Sequence, residues 1–288
     1  MASDSESRID ALLARMTLPE KLGQLTMVSA DFAVTGPTVS DNYVSEILAG
    51  AAGSILNLYG GEATRGMQRL AVEQTRLGIP LLMTFDVVHG HRTIFPVPLG
   101  EAASFDPDLW ERTARAAAIE ASADGLALTF APMLDVCRDP RWGRIVEGPG
   151  EDPWLASRFA EAKVRGFQGP DLTAEDSVAA QAKHFAAYGA PLAGRDYAQV
   201  DISERMLHET YLPPFAAAVA AGVPAIMPAF NDIAGVPMTA NRPLLTELVR
   251  ERWGFDGAMI SDYGAIGELI QHGIAADKVR LGGFHSEA

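Results

Sequence analysis

Short apolar runs alternate with longer segments of helical periodicity along most of this chain. The runs show little polar–apolar alternation, which indicates strands buried on both faces of a parallel sheet. The segments between them begin at capping residues or prolines and end at glycines, which predicts helices that cover the sheet. The predicted strands are 25–28, 53–59, 80–85, 126–134, 178–185, 224–230 and 257–260. The predicted helices are 5–16, 62–77, 106–125, 154–164, 203–222 and 241–252. A short helix opened by a capping box at 17–20 follows the first of these, and a last helix ends near Gly273.

The distribution of glycine and polar residues favours a closed barrel over an open doubly wound sheet. No glycine fingerprint follows the first strand, and polar residues recur at successive strand ends instead of at one switch point. An eighth strand should follow Gly273, but residues 278–288 offer no convincing candidate. We therefore expect an α/β fold of the (β/α)8 TIM-like barrel type, incomplete at its C-terminal end. No linker or repeat divides the chain, so residues 1–288 are expected to form a single domain.

Charge and cysteine content narrow the classes of partner. Lys and Arg number 23 against 37 Asp and Glu, a formal net charge of −14, which disfavours nucleic acid and anionic membranes and fits a neutral ligand. Cys137 is the only cysteine, so an internal disulfide is excluded. No apolar stretch approaches the length of a bilayer span, and the polar, acidic N-terminus is unlike a signal peptide. A periplasmic and a cytoplasmic location both stay open.

Polar residues follow several predicted strands, where the active site of a parallel barrel lies. Two carboxylates, a lysine, a histidine and an arginine at one mouth could hold sugar hydroxyls through charged hydrogen bonds. Each residue also has a simpler interpretation, because Asp262 could cap the next helix, Lys183 could be solvated and His184 could be a satisfied core histidine. The residues at these ends and in the long loop after Leu134 are Asp86, Asp139, Arg141, Arg144, Lys183, His184, Asn231 and Asp262.

Other kinds of catalytic site are poorly supported. His89 and His91 flank Gly90, but no third metal ligand lies nearby in the sequence. The chain contains neither a phosphate-binding loop ending in Gly-Lys-Ser/Thr nor the Gly-x-Ser-x-Gly elbow of serine hydrolases. We therefore expect no metal and no cofactor.

Four segments, in this order, resemble a known family. They are Asp-Pro-Arg-Trp-Gly-Arg at 139–144, Lys-His-Phe-Ala-Ala-Tyr-Gly at 183–189, Tyr-Leu-Pro-Pro-Phe at 211–215 and Ser-Asp at 261–262. Together they look like the N-terminal barrel domain of glycoside hydrolase family 3, in particular its periplasmic β-glucosidase branch. The resemblance covers about residues 8 to 276.

The resemblance implies a role for each matching residue. Asp262 matches the catalytic nucleophile of a retaining mechanism, in which a glycosyl-enzyme forms while an acid protonates the leaving oxygen. Arg144 or Lys183 beside it would keep that carboxylate ionised. Met227 could line the subsite or simply pack in the core. The residues matched to substrate binding are Asp86, Arg144, Lys183, His184, Met227 and, on the aglycone side, Tyr263.

The chain departs from the family at the general acid. In two-domain members the acid/base glutamate comes from an α/β sandwich domain after the barrel. The single-domain glucosaminidase branch uses a second histidine in the Lys-His loop, and the segment 183–189 has none. The acid/base residue therefore stays unassigned, and we expect a truncated chain that lacks the C-terminal sandwich domain. Open barrel edges in such a chain could promote self-association.

The expected function is hydrolysis of terminal non-reducing β-D-glucosyl residues, with small β-glucosides or β-linked oligosaccharides as substrates. A β-xylosidase or β-N-acetylglucosaminidase of the same family is an alternative enzyme. An alternative of another class is a sugar-binding barrel with little turnover.

Overall fold

The computed structural model describes residues 2–30 and 42–276. The helices are α1 Ala2–Arg15, α2 Leu18–Gln24, α3 Tyr43–Leu48, α4 Gly61–Gln74, α5 Pro98–Ala102, α6 Pro107–Ala123, α7 Pro153–Gln168, α8 Glu204–Met206, α9 Pro213–Ala220 and α10 Ala265–Glu268. The strands are β1 Met27–Ser29, β2 Ser54–Leu56, β3 Leu82–Phe85, β4 Leu128–Thr129, β5 Ala179–Phe185, β6 Ala225–Pro228, β7 Asp232–Ile233, β8 Val236–Pro237 and β9 Ala258–Met259. Shorter 3₁₀ turns occupy Ile145–Glu147, Leu192–Gly194 and Met238–Ala240, and π-helical turns occupy Leu207–Tyr211 and Pro243–Arg252.

Seven strands form one sheet in the order β1-β2-β3-β4-β5-β6-β9. The pairs β1–β2, β2–β3, β5–β6 and β6–β9 are parallel, and helices separate strands along the chain. This is the predicted α/β architecture, a (β/α)8-type barrel with seven of its strands within the described residues. The tail from residue 277, in which an eighth strand was sought, lies outside the described residues.

The chain divides into two compact units, the first drawn from Met1–Asp86 and Ala121–Leu128. In it β1, β2 and β3 pair, and the predicted capping box opens α2. The Thr17 side chain accepts from the Glu20 amide at 3.4 Å, and the Glu20 carboxylate accepts from the Thr17 amide at 2.8 Å. A Cβ on Gly23 would collide with the carbonyl oxygen of Gly50, so the end of α2 approaches that backbone closely.

The second unit consists of Val87–Glu120 and Thr129–Ala288 and contains β5, β6 and β9. Helix α7 packs against β5 and α9, and its Phe159 ring lies 5.3 Å from that of Trp110 on α6. Lys163, whose Nζ lies 5.2 Å from the centroid of the Phe159 ring, forms a buried ion pair of 2.6 Å with Glu101. None of the helices in the described ranges combines the length and apolar character needed to cross a bilayer.

Some elements differ from the sequence prediction. The run predicted as strand 126–134 yields only the two residues of β4. Its later part still bonds to β5, since the Gln181 amide donates to the Ala131 carbonyl and the Leu134 amide donates to the Lys183 carbonyl. The short antiparallel hairpin of β7 and β8 was not predicted, since two residues per strand give no periodicity. Its turn residues Ala234 and Gly235 both have positive φ, at 52° and 82°. The final helix is only the four residues of α10.

Candidate active site

Strand β5 carries the centre of the candidate site. All but its first residue are buried, because α7, α9 and the neighbouring strand β6 pack against it. Near its carboxyl end Lys183 and His184 are 5% and 1% exposed. The peptide bonds Lys183–His184 and Phe185–Ala186 are both cis. A lysine and a histidine at such depth need polar partners, since a buried polar group without a hydrogen bond is destabilising.

His184 finds its main partner in Asp135, the residue that follows the run predicted as the fourth strand. One carboxylate oxygen of Asp135, Oδ2, lies 2.7 Å from His184 Nδ1 and also accepts from the His184 backbone amide at 3.1 Å. Both side chains are essentially inaccessible to solvent. Burial lowers the pKa of His184 well below 6.5, and the positive charges of Arg144 and Lys183 lower it further. The imidazole is therefore neutral at physiological pH.

Arg144 reaches the other side of the same ring. Its guanidinium donates to both carboxylate oxygens of Glu147, at 2.8 and 2.9 Å, and its Nη2 lies 3.2 Å from His184 Nε2. The guanidinium carbon also lies 5.5 Å from the ring centroid of Tyr188. Burial works against the charge of Arg144, but the hydrogen bonds and charge of Glu147 outweigh it and raise the pKa of Arg144. A fixed positive charge is thus held next to the imidazole.

Asp262 lies three residues beyond β9 and faces this cluster. Its Oδ2 is 3.5 Å from His184 Nε2, while its Oδ1 accepts from the Tyr263 amide at 2.7 Å. Helix α10 begins at Ala265 with Gly264 as its N-cap, so Asp262 is not the cap residue of that helix. The Asp262 side chain is 13% exposed, which leaves its carboxylate at the boundary between the buried histidine and solvent.

Aromatic rings line one side of the cluster. The Tyr188 ring stands edge-on to His184 at 5.1 Å and to Trp142 at 5.3 Å. Tyr197, 56% exposed, packs its ring 4.5 Å from that of Phe230, just after β6. Aromatic faces beside a few fixed polar groups are typical of pockets that hold ligands with both apolar and polar parts.

In the structure, Arg144 and Asp262 both contact the imidazole of His184. Lys183 stands next to His184, and its charge lowers the pKa of both His184 and Asp135. Across the β5–β6 pair, Met227 is the register partner of Lys183 and is also 5% exposed.

Of the other four residues of the predicted constellation, two follow strands and two lie in the loop after the predicted strand 126–134. Asp86 directly follows β3 in the first unit, and buried Asn231 follows β6. Asp139 and Arg141 instead pair with each other at 2.7 Å, with the Arg141 side chain 69% exposed. The Arg141 hydrogen bonds lower the pKa of Asp139 to about 2. This pair therefore forms a surface salt bridge outside the His184 cluster.

Sequence reasoning missed Asp135 and Glu147. Asp135 stands directly after the predicted strand 126–134, the same kind of position that singled out Asp86 and Asp262, so the signal was present. Glu147 follows Arg144 by three residues, a spacing at which a carboxylate on one helical turn can reach a guanidinium. Within the described ranges, no group of three or more histidine, cysteine, aspartate or glutamate side chains could hold a metal ion.

Residues 17–282 match the family model described as the glycosyl hydrolase family 3 N terminal domain. The chain belongs to glycosyl hydrolase family 3. It is 45% identical over 267 residues to the "Periplasmic beta-glucosidase" of Salmonella typhimurium, across 92% of this chain and 34% of that protein. It is 35% identical to a "Putative beta-xylosidase" of Formosa agariphila, across 92% of this chain and 37% of that protein. The family resemblance predicted from the four sequence segments is confirmed.

The fold is also that of solved members of the family. The crystal structure of a β-glucosidase from Listeria innocua in complex with isofagomine superimposes with a TM-score of 0.86 at 41% identity, over 94% of this chain and 38% of that one. The same enzyme was solved in complex with glucose, with a TM-score of 0.86 at 40% identity, over 94% of this chain and 39% of that one. The chain thus spans about a third of the length of the curated relatives it matches.

Proposed function

We propose that this chain is the nucleophile-bearing domain of a retaining β-glucosidase, which hydrolyses terminal non-reducing β-D-glucosyl residues. The observation that carries the proposal is the position of Asp262. Its carboxylate follows the last strand of the sheet, borders solvent and lies 3.5 Å from a buried, neutral histidine. Relatives named as β-glucosidases, at 45% identity in sequence and 41% in a solved structure, support the same assignment.

In the proposed reaction, an Asp262 oxygen attacks the anomeric carbon as the glycosidic bond to the leaving oxygen breaks. A glycosyl-enzyme forms, and water then releases glucose and restores the carboxylate. The fixed charge of Arg144, one hydrogen bond beyond His184, favours the ionised form of a nearby carboxylate. In this proposal the chain supplies the nucleophile and a fixed positive charge close to it.

Arg144, Lys183, His184 and Asp86 are proposed to bind the hydroxyls of the terminal sugar. Charged donors and acceptors of fixed geometry recognise hydroxyls well, because hydrogen bonds to ionised groups are about twice as strong as neutral ones. Met227 and Tyr263 are proposed to form the apolar wall and the aglycone side of the subsite.

A β-xylosidase is the second candidate, because two relatives from Formosa agariphila, at 35% and 38% identity, are named as β-xylosidases. Xylose lacks the hydroxymethyl group of glucose, so the two activities separate on matched substrates. We expect kcat/KM to be higher on 4-nitrophenyl β-D-glucoside than on the corresponding xyloside. A preference for the xyloside would transfer the proposal to that activity.

The nucleophile can be tested directly by covalent trapping. Dinitrophenyl 2-deoxy-2-fluoro-β-glucoside should label the chain once, and peptide mass spectrometry should place the label on Asp262. Asp262→Asn should abolish both labelling and turnover, since the amide is not a nucleophile. Asp139→Asn is the matched control, because Asp139 is occupied by Arg141 outside the cluster, and it should label normally. A label on another carboxylate, or full activity of Asp262→Asn, would contradict the proposal.

A further inference from the structure

His184 is fixed from both ring nitrogens. On one side, Asp135 Oδ2 contacts Nδ1 at 2.7 Å and holds the backbone amide of the same residue at 3.1 Å. On the other, Nε2 is 3.2 Å from Arg144 Nη2 and 3.5 Å from Asp262 Oδ2. The ring therefore has one partner that can only donate, Arg144, and two carboxylates that accept when ionised.

With the imidazole neutral, as its lowered pKa requires, two protonation patterns satisfy the Asp135 contact. In the first, Asp135 is a carboxylate, Nδ1 carries the proton and Nε2 is an acceptor. In the second, Asp135 is a carboxylic acid that donates to Nδ1, and Nε2 carries a proton directed at Asp262. The two patterns differ in what His184 offers to the site, because only the second gives Nε2 a proton to transfer.

The Arg144 contact discriminates between these patterns. A guanidinium has five N–H donors and no acceptor, so a nitrogen 3.2 Å from Nη2 must supply a lone pair. A proton on His184 Nε2 would direct that N–H at the N–H of Arg144 Nη2, and neither group could accept. Two N–H groups, from the ring and the backbone, then converge on Asp135 Oδ2, as is usual for an ionised carboxylate.

We propose that Asp135 is a positioning residue that holds His184 as the neutral Nδ1–H tautomer, with Nε2 as an acceptor beside Asp262. Its role in turnover rests on the proposed function, whereas the tautomer does not. In this state His184 has no proton on Nε2 to give to a leaving group or to Asp262. His184 is therefore not the general acid of the reaction.

The surroundings of Asp135 and His184 shift the pKa of Asp135 in both directions. Burial raises the pKa of Asp135, which favours the carboxylic acid, and the negative charge of Glu147 acts the same way. The His184 amide and the charges of Arg144 and Lys183 oppose that shift. The donor-only character of Arg144 decides the balance, because the carboxylic acid pattern forces its N–H against a protonated Nε2.

Nitrogen-15 NMR of the histidine side chains tests the tautomer without any substrate. The 288-residue chain contains six histidines, and comparison with a His184→Gln variant identifies the His184 signals. We expect a protonated Nδ1 and an unprotonated Nε2 that do not change between pH 5.5 and 8. A protonated Nε2 at neutral pH, or titration of the ring in that interval, would overturn the proposal whether or not the chain is a glucosidase.

Substitution of Asp135 tests its positioning role. Asp135→Leu, which cannot accept, should abolish the single Nδ1–H tautomer, and Asp135→Asn should lower kcat/KM on an activated aryl β-glucoside by about 10- to 100-fold. Cys137→Ala is the control, because Cys137 is buried two residues further on and its thiol donates to the Asp139 carbonyl instead. It should keep the wild-type spectrum and rate. An unchanged His184 spectrum in folded Asp135→Leu would overturn the role.

Discussion

The guanidinium of Arg144 forms hydrogen bonds with two partners at once. It is bidentate to Glu147 and in contact with His184 Nε2, and a planar fork with donors on several nitrogens is required for that arrangement. Lysine has one nitrogen on a flexible stem and cannot make both sets of bonds. The geometry of the arginine side chain, and not only its charge, is therefore needed to hold Glu147 and His184 together in the candidate site.

Arg144→Lys should consequently behave as a severe substitution. Loss of a charged hydrogen bond costs about 1.5–3 kcal/mol, so we expect kcat/KM on 4-nitrophenyl β-D-glucoside to fall by roughly 10- to 100-fold. Arg141→Lys is the control, because Arg141 forms an exposed pair with Asp139. Equal effects of the two substitutions would show that Arg144 has no special place in the site.

At the scale of residues, the sequence located most of the chemistry but not its connections. Lys183, His184 and Asp262 stand at or just beyond strand ends, where a parallel barrel places its functional groups. Which acidic group holds His184 depends on a contact across 49 positions of sequence, and no local pattern encodes it. Asp139 looked equally suitable as a site residue, yet its neighbour Arg141 occupies it locally.

At the scale of elements, α5, α6 and α7 are joined by a buried polar cluster. Lys163 on α7 contacts Glu101 on α5 at 2.6 Å and donates to Thr113 on α6 at 3.1 Å, and Thr113 in turn donates to Glu101. The Lys163 and Glu101 side chains are 4% and 2% exposed. Burial lowers the pKa of Lys163, and Glu101 opposes that shift.

Lys163→Met should destabilise the protein by about 3–5 kcal/mol, because it leaves Glu101 charged, buried and without its counterion. The double variant Lys163→Met/Glu101→Leu should recover most of that loss, since it removes both charges together. Arg165 lies on α7 like Lys163, and Arg165→Met, which breaks its exposed pair with Glu111 on α6, should cost at most about 1 kcal/mol. Urea unfolding measures the free energy of unfolding of all three variants. A Lys163→Met variant as stable as wild type would contradict the argument.

The start of α2 gives a pH-dependent prediction. Hydrogen bonds from Arg76 and then from Thr17 lower the pKa of Glu20 from 4.5 to about 2 in the folded state. A folded pKa below the unfolded one means that the stabilisation is present above about pH 4.5 and is lost as the pH falls towards 2. The stability difference between wild type and Glu20→Gln should therefore shrink between pH 6 and pH 3. Glu73→Gln is the control, because Glu73 pairs with Arg69 at 3.9 Å on the exposed surface. If the stability difference from wild type changes equally with pH in both variants, the prediction is wrong.

Element prediction succeeded where periodicity is long and failed where it is short. Helices α1, α4, α6 and α7 each span 14 residues or more and were all predicted. The hairpin of β7 and β8 has two residues in each strand, so no periodic pattern existed to be recognised. Helix α3, with six residues, and α5, with five, escaped prediction for the same reason.

At the scale of the whole molecule, β1 and β9 stand at the two ends of the sheet order within the described residues. Edge strands present unpaired backbone groups that can template association. We expect the 288-residue chain to associate with increasing concentration in sedimentation velocity, and Ala258→Lys on exposed β9 to reduce that association. Leu22→Lys on the exposed side of α2 should leave it unchanged. If only the Leu22 variant abolishes association, the contact lies on α2 and not on the edge.

The last prediction concerns how turnover depends on the leaving group. A retaining glycosidase needs a nucleophile and an acid, and this chain's residues are assigned only the first. General acid assistance is worth about 10²- to 10⁴-fold, and it matters most when the leaving group is a poor one, because an alkoxide then departs without a proton. Dinitrophenolate needs almost no such help, since it leaves as a stable anion.

The 288-residue chain should therefore release dinitrophenol slowly from dinitrophenyl β-glucoside and be nearly inactive on cellobiose. A plot of log kcat/KM against leaving-group pKa should be steep, because negative charge on the departing oxygen goes uncompensated in the transition state. His184→Gln tests whether the buried histidine supplies the missing proton, and the slope should not change in it, since Nε2 is assigned as an acceptor. A shallow slope in wild type that becomes steep in His184→Gln would instead make His184 the acid.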